Sequence, residues 1–206
     1  MSDAVRDRLL AAALLAALVA HAVVTKLPDN RLDEMLYSCH VASLCVAIGL
    51  LGRSPQRWRS RLLVAAGFLF HLGIGWIAWT LDVLEAHTTT PTSVLVHFLP
   101  LLAGFLVFRV EPLPRGATAA AFAIYVVLQP VSYWLTAPEH NVNVAHAPWP
   151  PLEPLFPSMG VHRVAMAVFA LAFLLAAELV FRRFMRATWQ NATKPGAAVH
   201  SSDRRC

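Results

Sequence analysis

Cys39 and His40, adjacent in the run Ser38-Cys39-His40, and the single His97 in Val94-Leu95-Val96-His97 are the residues whose types and spacing can do chemistry. A nucleophilic cysteine needs a base to form its thiolate, and that base usually comes from elsewhere in the fold. Neighbours on a helix point 100° apart, so His40 is a poor base for Cys39. His97, at matching depth on another apolar segment, is the better partner. The competing reading is that Cys39 is a packed thiol near an interface, as the deeper Cys45 is read to be a small buried hydrophobe. An acyl-transfer site also needs oxyanion donors, and His40, Asn141 and Asn143 are the candidates for that role or for positioning substrate. Asp82, His87, His146 and His71 are further polar residues able to line the site. With His40 and His97 they also offer imidazole and carboxylate ligands to Zn, Cu or Fe. No H-x-x-x-H pair lies on one helix and no cysteine pair has zinc spacing, so neither a metal nor any other cofactor is assigned.

The elements that must position these residues follow from composition. The chain has 206 residues, 57% of them apolar and 14% charged, with a mean hydropathy of +0.56. Soluble domains carry about 25% charged residues. The apolar residues arrive in blocks long enough to cross about 30 Å of hydrocarbon. These features exclude a soluble enzyme, a disordered chain and a disulfide-stapled module, and they predict an all-α polytopic membrane protein. Six spans are expected, at about 9–24, 34–52, 62–84, 92–108, 117–136 and 161–181, because lipid-exposed backbone must satisfy its own hydrogen bonds. The transmembrane domain is 1–187, and the polar stretch 188–206 reads as a disordered cytoplasmic tail. All Lys and Arg except Lys26, Arg31 and Arg163 then fall on one side, which predicts N-in and C-in with six crossings. The net charge of +5 is therefore an orientation signal, and nucleic acid is not an expected partner. A second reading of the first span is a signal peptide cleaved near Ala20-His21-Ala22.

With this topology every histidine except His200 lies in the outer half, and a shared depth reached from nearly every span is what a site built from helix ends would show. The stretch His71 to Asp82, eleven residues on a straight helix, returns to one face through Gly75. Pro100 removes the hydrogen bond to the Val96 carbonyl and leaves a free acceptor beside His97. Pro130 does the same for Val126, and Gln129 is placed to meet the first kink. The Pro-rich loop 137–160, with Trp149 and Phe156, reads as a lid on the outer leaflet, while Trp76 and Trp79 read as belt and packing residues. Glu178 is expected to pair with Arg182 at i+4.

The order Ser38-Cys39-His40-Val41, Val94-Leu95-Val96-His97 with Phe98-Leu99-Pro100-Leu101-Leu102, then Asn141-Val142-Asn143 with Pro148-Trp149 resembles the pattern of the transmembrane protein 164 family of membrane acyltransferases and its bacterial relatives. The resemblance covers about residues 34 to 155. It implies a six-helix membrane fold with the second-span Cys39 and fourth-span His97 in the catalytic roles, acting on glycerophospholipid acyl chains, and with Asn141 and Asn143 shaping the site. Membrane lipids are then the partners, and the site faces the extracytoplasmic side of a bacterial plasma membrane. With water as acceptor the same residues make a lipase. The alternatives from other classes are a His/Asp metal-binding membrane protein and a non-catalytic small transporter or structural subunit. The inner half offers a transport path little polar lining beyond Glu178.

Overall fold

The computed structural model describes residues 2–52, 58–86, 89–148 and 150–192, and every regular element among them is helical. Seven α-helices run in order: α1 Asp3–His21, α2 Ser38–Leu51, α3 Trp58–Phe70, α4 Trp76–Ala86, α5 Pro91–Phe108, α6 Ala117–Leu135 and α7 Met159–Ala192. A π turn, Ala22–Lys26, prolongs α1, and a second, His71–Gly75, joins α3 to α4 as one continuous rod. Among the described residues five segments are long and apolar enough to cross a membrane: Asp3–Lys26, Trp58–Thr80, Pro91–Phe108, Ala117–Leu135 and Met159–Gln190. The fold is that of a helical membrane protein.

The expected second span is the exception. Residues 32–36 form a separate 3-10 turn, Tyr37 breaks the chain direction with ψ 135°, and α2 begins only at Ser38. Its 14 residues extend about 21 Å at 1.5 Å per residue, short of the about 30 Å hydrocarbon core. Asp33 and Glu34 explain the break: Glu34 pairs with Lys26 at 2.5 Å and with Arg31, and Asp33 accepts from the Ala137 N–H at 3.0 Å. These acidic residues are anchored sideways, which a continuous helix would not allow.

The last helix departs from expectation at its other end. It continues to Ala192, so residues 188–192 are helical and not tail. Trp189 anchors the extra turns, donating its indole N–H to the Phe108 carbonyl at 2.8 Å and packing on Phe181. Residues 193–206 lie outside the described residues. Glu178 does pair with Arg182, at 2.6 Å, and also accepts from the Thr118 hydroxyl and N–H, tying α7 to the start of α6.

Glycines set how closely the helices approach. A Cβ at Gly67 would lie 2.4 Å from the Ala42 carbonyl oxygen, and one at Gly49 2.7 Å from that of Ser60, so α2 and α3 meet backbone to backbone. Gly104 receives the ring of Phe68, which with Phe108, Phe181 and Leu174 forms the main apolar core.

Candidate functional site: a four-histidine layer beside Cys39

Asn143 organises the end of the bundle where α2 starts. It stands at φ 57° in the loop after α6, a conformation Asn tolerates better than most residues. Its Oδ1 accepts from the Ser38 N–H at 2.8 Å and the Ser38 hydroxyl at 2.6 Å, so it caps α2. Its Nδ2 donates to the Leu36 carbonyl at 2.9 Å and to the Ser132 hydroxyl at 2.7 Å. Both amide hydrogens are thus used within the protein. Asn141, at φ 42°, accepts from the N–H groups of His146 and Ala147 at 3.0 Å and donates to the Ala147 carbonyl at 2.9 Å. Gln129 donates to the Asn143 carbonyl at 3.0 Å and so braces this loop from α6, instead of meeting the first kink.

The capped helix carries Cys39 as its second residue. Its half-buried side chain packs with Phe70, Tyr125 and Ala170.

On the neighbouring face four buried imidazoles from four segments form a layer: His21 from α1, His40 from α2, His71 from the π turn and His97 from α5. Their ring centroids are 5.0 Å apart for His21 and His40, 6.2 Å for His40 and His97, and 5.9 Å for His97 and His71. Hydrogen bonds fix two tautomers. The His97 Nδ1–H donates to the Ser93 carbonyl at 2.8 Å and the His40 Nδ1–H to the Glu34 carbonyl at 3.1 Å; since carbonyls only accept, each neutral ring carries its lone pair on Nε2. Trp79 holds His97 from one face, stacked at 5.1 Å and 21°, while its own N–H donates to the Ser93 hydroxyl at 2.9 Å.

Ser43 joins the two halves. Its hydroxyl lies 2.9 Å from the carbonyls of Cys39 and Val96 and 2.9 Å from His71 Nε2. The Val96 carbonyl is the one that Pro100 deprives of its helical donor, so the acceptor expected from the proline is filled by a hydroxyl from another helix. The Cys39 turn of α2 is thereby fastened to the α5 turn that bears His97. Ser43 and His71 have the separation of a nucleophile and base, but both are at most 1% exposed, and the hydroxyl faces two carbonyls. Their role is structural.

The other expected residues are not drawn in. His146 stacks on Tyr133 at 5.1 Å and lies 3.4 Å from the Thr136 hydroxyl, in the loop and apart from the imidazole layer. His140 pairs with Asp33 at 2.8 Å. His87 lies outside the described residues, as does Trp149. Asp82 falls on α4, and its side chain lies outside what the structure describes. Among the described residues no group of three or more His, Cys, Asp or Glu side chains is arranged to hold a metal ion. Depth alone puts His21 in the outer half without selecting it for the site, and in sequence Trp79 reads only as a packing residue. Ser43 had a usable signal, four residues after Cys39 on the same helical stripe.

Comparison with known proteins finds no protein family, no curated protein and no solved structure that matches the chain.

Proposed function

We infer that this chain is an integral membrane acyltransferase or lipid hydrolase acting on glycerophospholipid acyl chains, with Cys39 as nucleophile and His97 as general base. The carrying observation is the Ser43 bridge, which fastens the Cys39 turn to the turn of an imidazole whose Nδ1–H is already engaged and whose lone pair is on Nε2. The resemblance of the Cys39, His97 and Asn141-Val142-Asn143 segments to the transmembrane protein 164 family supports the same reading.

In the reaction His97 Nε2 takes the thiol proton and the Cys39 sulfur attacks the ester carbonyl carbon. The tetrahedral oxyanion collapses, the carbon–oxygen ester bond breaks, and the leaving alkoxide takes the proton from His97, releasing a lysolipid. An acceptor hydroxyl or water then gives its proton to His97 and attacks the thioester, and the Cys39 thiolate leaves and is reprotonated. With the Asn143 amide committed and the His40 N–H on a carbonyl, the second Nδ2 hydrogen of Asn141 and the positive end of α2 are the groups left to stabilise the oxyanion.

The topology belongs to this reading: six crossings, both termini cytoplasmic, the site extracytoplasmic in a bacterial plasma membrane. The sixth crossing is α2. A helix about 9 Å too short to span puts its first turn below the headgroup plane, where an ester carbonyl arrives from the side.

The test is incubation of purified protein with a phospholipid bearing isotope-labelled acyl chains, followed by intact mass and hydroxylamine release. A hydroxylamine-sensitive adduct is expected in wild type and Cys45→Ala, absent in Cys39→Ala, and formed at least about 100-fold more slowly in His97→Ala. Undiminished transfer by Cys39→Ala overturns the mechanism.

A further inference from the structure

Arg163, near the start of α7, is a cation without a counter-ion at the end of the bundle where α2 begins. Among the described residues Lys26 and Arg31 are the other Lys and Arg at this end, and both pair with Glu34, as His140 pairs with Asp33. Arg163 pairs with no carboxylate among the described residues. It donates from Nη2 to the Ala145 carbonyl at 2.9 Å, and its guanidinium carbon lies 5.1 Å from the centroid of the Tyr133 ring. A guanidinium carries five N–H donors, so four remain on an exposed side chain.

One loop holds this charge in register with Cys39. Asn143 caps α2 at Ser38, the residue before Cys39, and Ala145, two residues further along the same loop, is the acceptor for Arg163. Tyr133 is itself fixed by stacking on His146 of that loop at 5.1 Å. Helix α7 gives a second tie. Arg163, Met166 and Ala170 follow one stripe at three- and four-residue steps, and Cys39 and Met166 both pack against the cluster that contains Ala170. Met166 and Ala170 are about 4.5 and 10 Å along the axis from Arg163, so the guanidinium lies one to two turns nearer the end of the bundle than the thiol. In a glycerophospholipid the phosphorus is five bonds, about 6 Å, from the carbonyl carbon of the middle ester, which with the approach distances at both ends spans the same interval.

A permanent charge, a planar fork of free donors and no acidic partner fit a phosphate oxyanion, which guanidinium meets bidentately. The adjacent His162 also lacks an acceptor: it is 2% exposed and neither ring nitrogen has a partner. We propose that Arg163 binds the phosphate of the glycerophospholipid whose acyl ester Cys39 attacks, and so selects phospholipids over neutral acylglycerols. The proposal rests on the acyl-transfer reading for the ester and on the contacts of Arg163 for the phosphate.

Two measurements on purified full-length protein in a nonionic detergent separate these dependences. First, labelled dihexanoyl phosphatidylglycerol and dihexanoylglycerol are equilibrated by dialysis with Cys39→Ala, which holds lipid without turnover. The phospholipid should bind at least about tenfold more tightly, adding Arg163→Gln should abolish that preference, and adding Arg163→Lys should keep part of it. Equal binding of the two lipids, or a preference that survives Arg163→Gln, overturns the proposal. Inorganic phosphate that displaces the lipid at equal concentration also overturns it, since the site would then be one for the free anion. Second, with Cys39 intact, Arg163→Gln should raise KM for the phospholipid about tenfold and leave kcat/KM for the diacylglycerol unchanged. A fall shared by both lipids is the result of a loop brace and overturns the proposal. A wild type that turns over neither lipid refutes the Cys39 mechanism, and with it the assignment to that ester, while the dialysis still decides whether Arg163 binds a lipid phosphate.

Discussion

Asn143 carries four side-chain hydrogen bonds and a left-handed backbone, and these two contributions can be measured apart. Asn143→Gly keeps the conformation and deletes all four bonds, to Ser38 N–H, the Ser38 hydroxyl, the Leu36 carbonyl and the Ser132 hydroxyl. At a net value near the lower middle of the 0.5–1.5 kcal/mol range per bond, the loss is about 3 kcal/mol. Asn143→Ala loses the same bonds and adds about 1–2 kcal/mol for a Cβ at φ 57°. For a chain of this length 1 kcal/mol shifts the unfolding midpoint by about 2–4 °C. Thermal unfolding in detergent should therefore show a fall of about 6–12 °C for Gly and a further few degrees for Ala. The first turn of α2 should also fray, so Cys39 should alkylate with altered rate while Cys45 does not change. A glycine variant within about 2 °C of wild type would refute the clamp, and an alanine variant as stable as the glycine variant would refute the backbone argument.

The Ser43 bridge predicts that Ser43→Ala, which strands the Val96 carbonyl in a buried layer, costs about 1–3 kcal/mol in detergent unfolding. Pro100→Ala should lessen that cost by restoring the helical donor, so the two substitutions should be non-additive in a double-mutant cycle. Gly67→Ala, whose Cβ would meet the Ala42 carbonyl oxygen, should destabilise by about 3 kcal/mol or fail to fold, whereas Gly104→Ala, whose nearest neighbours are side-chain atoms of Phe68, should cost about 1–3 kcal/mol by the same assay. Burial raises the Asp33 carboxyl, but the hydrogen bonds from His140 and the Ala137 N–H outweigh it and hold the group below its ordinary 3.8. A depressed carboxylate stabilises above its unfolded value and loses that contribution as pH falls through the folded one. Asp33→Asn should then cost at most about 1 kcal/mol at pH 5 to 7, and the difference from wild type should vanish on acidification below about pH 3.8; a constant difference would show that charge is not involved.

Composition sufficed for the membrane class and for the approximate place of most helices, because apolar length is a property of the chain alone. The start of α2 was not visible there: Glu34 and Leu36 suit a helix, and only pairing with Lys26 and Arg31 and the Asn143 cap decide that it begins at Ser38. The π turn at His71–Gly75 has no residue signature stronger than its glycines, which equally suit close packing. Depth put His40 and His97 in one layer, yet which rings meet depends on helix rotation, and rotation is set by Gly67 and Gly49 packing against carbonyls of the facing helix. Pro100 was informative because a missing N–H must be answered by some donor. Which donor answers it is a tertiary fact. Asn141 and Asn143 look alike in sequence, but their backbone torsions and partners divide them into a local turn and a clamp.

The length of α7 sets a limit on how the protein floats. Thirty-four residues extend about 51 Å, and enclosing them in about 30 Å of hydrocarbon would need an inclination of about 54°, beyond the 0–40° that membrane helices adopt. The helix must protrude, and Arg182, Arg183 and Arg186 mark the end that does. Trp189 on that protruding part is bound to the last turn of α5, so the Phe108 carbonyl works as a waterline, fixing the draught of the bundle against bilayers of different thickness.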